Sequence, residues 1–158
     1  MENEGRILII DESMIDVRIV KRVLSNAGFD VVVSQEGEDI VEKAKHDSFD
    51  LILLDIMVPD FKGFDVCKAL KEDPFTGDVP IIFLTARYEL SMFMKGFEVG
   101  GEDYIRKPLI MTELISRVKS QIELASARKI QFDLVLELQK AKDEIKILKD
   151  ELNVQKQV

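Results

Sequence analysis

The chain has 158 residues but only one cysteine and one histidine. A lone Cys67 excludes a disulfide framework within the chain and a thiolate metal cluster. His46 stands in a polar, helix-like stretch and reads as an exposed residue. No apolar run approaches the ~18 residues that a membrane-crossing helix needs. The N-terminal segment Met1-Glu2-Asn3-Glu4-Gly5 is acidic and has no apolar stretch, so it does not read as a signal peptide. Basic residues are in deficit: 22 Lys and Arg against 30 Asp and Glu give a net charge of −8. That balance argues against direct nucleic-acid contact and against a membrane-surface role. A glycine-rich phosphate loop, a helix-turn-helix pattern and a nucleotide-cyclase motif are all absent. The expectation is a cytoplasmic globular protein of one domain, or one domain plus an appendage.

What is present is alternation. Arg6 to Ile10, Phe29 to Val33, Asp50 to Asp55, Pro80 to Leu84 and Asp103 to Arg106 read as five short strands. Helical patterns separate them. One follows an N-cap at Ser13 and carries Ile15, Ile19, Val23 and Leu24 to a stop at Gly28. Others run over Asp39 to His46, Phe64 to Glu72 and Glu89 to Val99. Gly37 reads as a turn after the second strand, and Val58-Pro59-Asp60 with Gly63 as a loop after the third. Strands alternating with helices predict βαβ units, hence a parallel sheet with helices on both faces. Right-handed crossovers put every strand's C-terminal end at one edge. From Leu109 a last helix pattern begins, and no Pro or Gly interrupts it.

The third strand organises the rest. Leu51 to Leu54 are continuously apolar, the habit of a strand buried on both faces. The run stops at Asp55, a carboxylate with no place in the core, which belongs at the mouth of the sheet where open α/β folds bind ligands. Taken alone it could simply cap the next helix. The same edge, however, also receives Asp11 and Glu12 after the first strand, Thr85 after the fourth and Lys107 after the fifth. The second strand ends in Ser34-Gln35 and offers nothing comparable. Three carboxylates at one mouth repel each other unless a cation relieves them. Mg²⁺ suits such a site: it takes oxygen ligands, keeps several waters and uses one or two carboxylates with phosphate oxygens. Lys107 is a point charge suited to a phosphoryl oxygen, and Thr85 supplies a hydroxyl. Asp55 is then a carboxylate nucleophile able to form an acyl phosphate.

Four blocks carry a resemblance: Ile7-Leu8-Ile9-Ile10-Asp11-Glu12-Ser13, Leu53-Leu54-Asp55-Ile56-Met57-Val58-Pro59-Asp60, Phe83-Leu84-Thr85-Ala86 and Asp103-Tyr104-Ile105-Arg106-Lys107-Pro108. In this order and spacing they resemble the receiver domains of two-component response regulators, over about residues 5–122. The resemblance implies a flavodoxin-like doubly wound fold with strand order 2-1-3-4-5. It implies that Asp55 is the phosphoacceptor, and that Mg²⁺ or Mn²⁺ is held by Asp11, Glu12, Asp55 and the backbone carbonyl of Met57. It implies that Thr85 and Lys107 contact the phosphoryl group, and that Thr85 and Tyr104 switch with it. A cis Lys107–Pro108 peptide is also implied, the one kind of bond that adopts cis at low cost. Met57 and Arg87 match positions that tune phosphoryl lifetime. One departure stands out: Glu12 occupies a position where the family more often has Asp. The extra methylene displaces its carboxylate by about one C–C bond, roughly 1.5 Å, so Glu12 would adjust the metal geometry or reach the ion through water.

Residues 123–158 read as a helical coiled-coil extension. Here 7 basic and 7 acidic residues balance, so the whole negative charge belongs to residues 1–122. With Gln131, Leu138, Ile145 and Leu152 at a positions, the d positions are Leu134, Ala141, Leu148 and Gln155. Glu137, Glu144 and Glu151 then fall at g, and Lys142, Lys149 and Lys156 at e. In a parallel dimer each Glu faces a partner's Lys five residues on, whereas an antiparallel pair sets like charges together. Each exposed pair contributes only about 0.2–1 kcal/mol, so the pattern sets orientation more than strength. A wider apolar stripe, Ile130, Phe132, Leu134, Val135, Leu136 and Leu138, suggests extra packing at the base of the coil. The alternative for the whole segment is a single solvated helix.

The expected function is therefore a phosphoacceptor, not an enzyme with turnover. A sensor histidine kinase or phosphotransfer protein would serve it, and it would pass its state to a parallel coiled-coil homodimer. Coils of this kind resemble linkers to output enzymes, so the chain is expected to be the N-terminal part of a longer protein. Two rivals remain. One is a constitutive dimeric interaction module indifferent to phosphorylation. The other is a Mg²⁺-dependent phosphohydrolase of the haloacid-dehalogenase type, which wants a carboxylate where Met57 stands.

Overall fold

Alternate residues of the central strands face opposite sides of the sheet, and each side finds its own helices. The computed structural model describes residues 3–34, 39–58, 62–87 and 89–157. In chain order the elements are β1 (Arg6–Ile10), α1 (Met14–Asn26), β2 (Asp30–Val33), α2 (Ile40–Asp47), β3 (Leu51–Asp55), α3 (Gly63–Glu72), β4 (Ile81–Thr85), α4 (Leu90–Glu98), β5 (Asp103–Arg106) and α5 (Met111–Lys156). All four strand pairings are parallel, in the order β2-β1-β3-β4-β5. This is the flavodoxin-like doubly wound fold. The expected turn at Gly37 and the residues Gln35, Pro59 and Asp60 lie outside the described residues, as do Met1 and Glu2 of the N-terminal segment.

Ile7, Ile9, Leu51, Leu53, Ile82, Leu84 and Ile105 point to one side, where α1 supplies Val17, Val20 and Leu24 and α5 supplies Leu114 and Val118. Leu8, Ile10, Ile52, Leu54, Ile81, Phe83 and Tyr104 point to the other, against Ala44 of α2 and Phe64, Cys67 and Leu70 of α3. Every residue of β3 and β4 is buried. Fully burying one such aliphatic side chain contributes about 1.5–3 kcal/mol, so the two central strands are fixed in place by the packing on both their faces.

Local signals set the element ends. Ser13 Oγ accepts from the Asp16 N–H at 3.4 Å and starts α1. Gly28, at φ +99°, follows the other end of α1 in a conformation that costs glycine little. Asp39 Oδ1 caps α2 through the Glu42 N–H at 3.2 Å. Strand bounds differ from the sequence reading by single residues; β3 begins at Leu51 rather than Asp50. Phe29 donates its N–H back to Leu24 O in the turn after α1, so β2 begins one residue later. Pro80 has no N–H to give; its carbonyl accepts from Ile52, and β4 begins one residue later. Thr85 is the last residue of β4 rather than the residue after it. The last helix begins at Met111 rather than Leu109.

The chain divides into two units, residues 1–123 and 124–158. The second is helical as far as Lys156, and its large apolar residues are exposed, including Leu134, Leu138, Ile145, Leu148 and Leu152 along the expected seam. Ile130, Phe132, Val135 and Leu136 of the wider stripe are exposed as well. No described helix is long and apolar enough to cross a membrane.

Candidate functional site

The register brings the strand-end residues together. Ile10 pairs with Leu54, so Asp11 and Asp55 are the next step along neighbouring strands. Thr85 pairs with Arg106, and the Lys107 N–H donates to Thr85 O at 2.8 Å, which fixes where the lysine leaves β5. Its side chain returns across the sheet edge. Lys107 Nζ lies 2.7 Å from Asp11 Oδ2 and 2.8 Å from Asp55 Oδ2. The Lys107–Pro108 peptide is cis.

Each carboxylate is also held by its second oxygen. Asp11 Oδ1 accepts from the Ser13 N–H at 2.8 Å, and Asp55 Oδ1 from the Met57 N–H at 2.9 Å. Both residues are buried. Burial pushes the Asp11 carboxyl above its ordinary range, against the pull of Lys107 and the Ser13 N–H; the neighbouring Asp55 charge adds to the rise. Burial acts on Lys107 in the opposite sense, yet its two carboxylate partners outweigh it and raise the ammonium pKa.

The third carboxylate at Lys107 is not Glu12. Glu12 is exposed, outside the hydrogen-bonded cluster of Asp11, Asp55 and Lys107. Asp16, in the first turn of α1, takes that place, with Oδ2 3.1 Å from Lys107 Nζ. Asp16 was not singled out from the sequence. Its only signal there was an acidic residue three positions after an N-cap, which is common helix chemistry.

The hydroxyls of Thr85 and Tyr104 are bonded outside the cluster. Thr85 is buried; its hydroxyl accepts from the Arg87 N–H at 3.0 Å and donates to Arg87 O at 3.1 Å. Tyr104 is turned inward among Phe83, Phe93 and Phe97, with ring centroids 5.1, 4.5 and 5.4 Å away. Its hydroxyl donates to Met92 O at 2.7 Å. Gly96 permits this pose, because a Cβ there would land on the Tyr104 hydroxyl. Burial raises the phenol from its ordinary 10.0 to about 12.

Among the described residues no three His, Cys, Asp or Glu side chains gather closely enough to hold a metal by themselves. The donors at the sheet edge are two carboxylates beside a backbone turn, all oxygen. Such a set does not suit a zinc site closed by protein ligands, but it fits a hard cation that keeps several waters.

A family model described as the response regulator receiver domain matches residues 7–119. The chain belongs to that family. As a receiver it is 36% identical over 124 residues to the transcriptional regulatory protein ResD of Bacillus subtilis, covering 78% of this chain and 50% of that one. A solved putative response regulator from Chloroflexus aurantiacus is 31% identical, with a TM-score of 0.71, covering 75% of this chain and 98% of that one. The receiver domain of the Pseudomonas aeruginosa sensor histidine kinase PA1611, 24% identical with a TM-score of 0.68 over 75% of this chain and 98% of its own, shares the fold; its structure has a magnesium ion coordinated in the active-site cleft. The receiver spans about half the length of the curated regulators it matches, 47–50% for three of them. Several of these are named as transcriptional regulators. Their names stand against the expectation, drawn from the net charge of −8, that nucleic acid is not among the partners.

Proposed function

We propose that this receiver accepts a phosphoryl group on Asp55 from the phosphohistidine of a sensor kinase or phosphotransfer protein. The observation that carries the reading is the Lys107 ammonium held between the Asp11 and Asp55 carboxylates at the end of β3. An Asp55 oxygen attacks phosphorus, the P–N bond breaks, and the imidazole nitrogen leaves with the electron pair and takes a proton. The product is an acyl phosphate. Lys107 then turns from carboxylate to phosphoryl oxygens, offsetting the charge that arrives. The Met57 N–H already holds one Asp55 oxygen, which orients the carboxylate. Thr85 is one residue beyond the strand partner of Asp55 and offers its hydroxyl once it lets go of Arg87.

Asp11, Asp55 and the Met57 carbonyl would hold Mg²⁺ or Mn²⁺, with Glu12 reaching it through water from its exposed position. The ion supplies charge neutralisation for the dianionic group. The chain acts as a phosphoacceptor in the cytoplasm, where nucleotide-fed kinases work, and not as an enzyme with turnover. Phosphorylation biases Thr85 and Tyr104, and through them the surface of α4, β5 and α5. The same helix α5 continues through the segment with the Glu–Lys heptad pattern, which supports a parallel coiled-coil homodimer as the receiver of the change.

Sedimentation velocity at micromolar protein with Mg²⁺, with and without beryllofluoride, tests this reading. A beryllofluoride-dependent shift from monomer to dimer that is absent in Asp55→Asn supports it. A constant dimer, identical in Asp55→Asn, favours an interaction module indifferent to phosphorylation.

A further inference from the structure

An ammonium carries three donors. In Lys107 two of them serve Asp11 and Asp55, at 2.7 and 2.8 Å, and among the described residues the third ion-pair partner is Asp16 at 3.1 Å. The three carboxylates differ in exposure: the Asp11 and Asp55 side chains are 2% and 10% exposed, that of Asp16 is 36%. Asp16 is also the partner placed with Asp11 by one local turn. The Ser13 N–H donates to Asp11 Oδ1, and Ser13 Oγ accepts from the Asp16 N–H. The turn that sets one carboxylate of the cluster therefore sets the other.

We propose that Asp16 is a positioning residue that holds Lys107 in its resting place and opposes the entry of a phosphoryl group at Asp55. This rests on the reading of Asp55 as phosphoacceptor. An arriving phosphoryl group brings up to two negative charges and three acceptor oxygens. To meet them Lys107 must release one of its present partners. Asp16 is the longest contact and the one water can most readily replace. Until it is released, its charge competes for the ammonium and repels the incoming dianion. Asp16 thus sets a threshold for phosphorylation without touching the reacting atoms.

An acidic residue in the first turn also favours a helix through its dipole, so the test must separate charge at Lys107 from helix stability. Beryllofluoride affinity is measured in Mg²⁺ buffer for the parent chain, Asp16→Asn and Asp16→Glu, at low and high salt, with Asp55→Asn as the blank. The expected result is roughly 3- to 10-fold tighter binding in Asp16→Asn at low salt, an advantage that shrinks at high salt because the carboxylate is partly exposed. Asp16→Glu, which keeps the charge and the helix benefit, should bind like the parent. Equal or weaker binding in Asp16→Asn, with the parent binding normally, overturns the proposal and leaves the role of Asp55 standing. No binding by the parent overturns both. If Asp16→Asn folds poorly, Asp16→Ser makes the same comparison.

Discussion

Lys107 Nζ and Asp55 Oδ2 are 2.8 Å apart although 52 residues separate them in the chain. Only a parallel sheet with β3, β4 and β5 side by side brings the ends of the third and fifth strands to one edge. The contact joins a residue read as nucleophile to the cation that would serve its product.

Removing that cation leaves the Asp11 and Asp55 carboxylates without the lysine counter-charge they share. In Lys107→Met, stability in metal-free buffer should fall by about 2 kcal/mol or more, because an uncompensated buried charge is costly. Mg²⁺ should restore part of the loss, and more than it adds to the parent. Urea denaturation with and without Mg²⁺ measures both.

Gly96 and Tyr104 form a second pair whose coupling can be measured. A methyl group at position 96 meets the Tyr104 hydroxyl, so Gly96→Ala should cost about 1–3 kcal/mol through overpacking. Tyr104→Phe removes the nearest obstructing atom, although the ring carbon Cζ still crowds the added methyl. The double variant should be less destabilised than the sum of the single ones, and a double-mutant cycle by chemical denaturation gives the coupling.

Tyr104 also predicts an alkaline limb. Burial raises its pKa from 10.0 to about 12 in the fold, so the folded state favours the protonated phenol. That contribution to stability is complete below about pH 10 and is lost as pH rises from there through about 12. The chain has two tyrosines. In a Tyr88→Phe background, ultraviolet titration should show the remaining phenol ionising near pH 12.

Charge reversal tests the orientation of the coil. Glu144→Lys sets a lysine against Lys149 of the partner in a parallel dimer and should weaken association by about 0.2–1 kcal/mol for each pair changed. Lys149→Glu alone should do the same. Mixing the two variants should favour the heterodimer over either homodimer in sedimentation equilibrium.

Strand-end chemistry was legible because burial made it so. Leu51 to Leu54 are apolar without a break, and a carboxylate ending such a run has to emerge at the sheet edge. The same logic placed Asp11 and Lys107. Strand order was not legible from periodicity, since every central strand reads alike; it came from the resemblance of the four blocks. Asp16 marks where the sequence reading fell short. Glu12, exposed beside Asp11, entered the expected metal site through the resemblance. Asp16 is brought back by a helical turn that begins at Ser13, and a spacing of five residues between Asp11 and Asp16 carries no signal until that turn is known. The inward pose of Tyr104 was hidden for a similar reason: Gly96 reads as a weak point in a helix, not as the space for a hydroxyl from β5.

The most direct test of the account is intact-mass analysis after incubation with a small phosphoryl donor and Mg²⁺, followed by peptide mapping. The account predicts one added phosphoryl group, labile to hydroxylamine as an acyl phosphate, mapped to Asp55, absent in Asp55→Asn and lost when the metal is chelated beforehand. An unmodified parent chain, or a phosphoryl group that persists in Asp55→Asn, would contradict it.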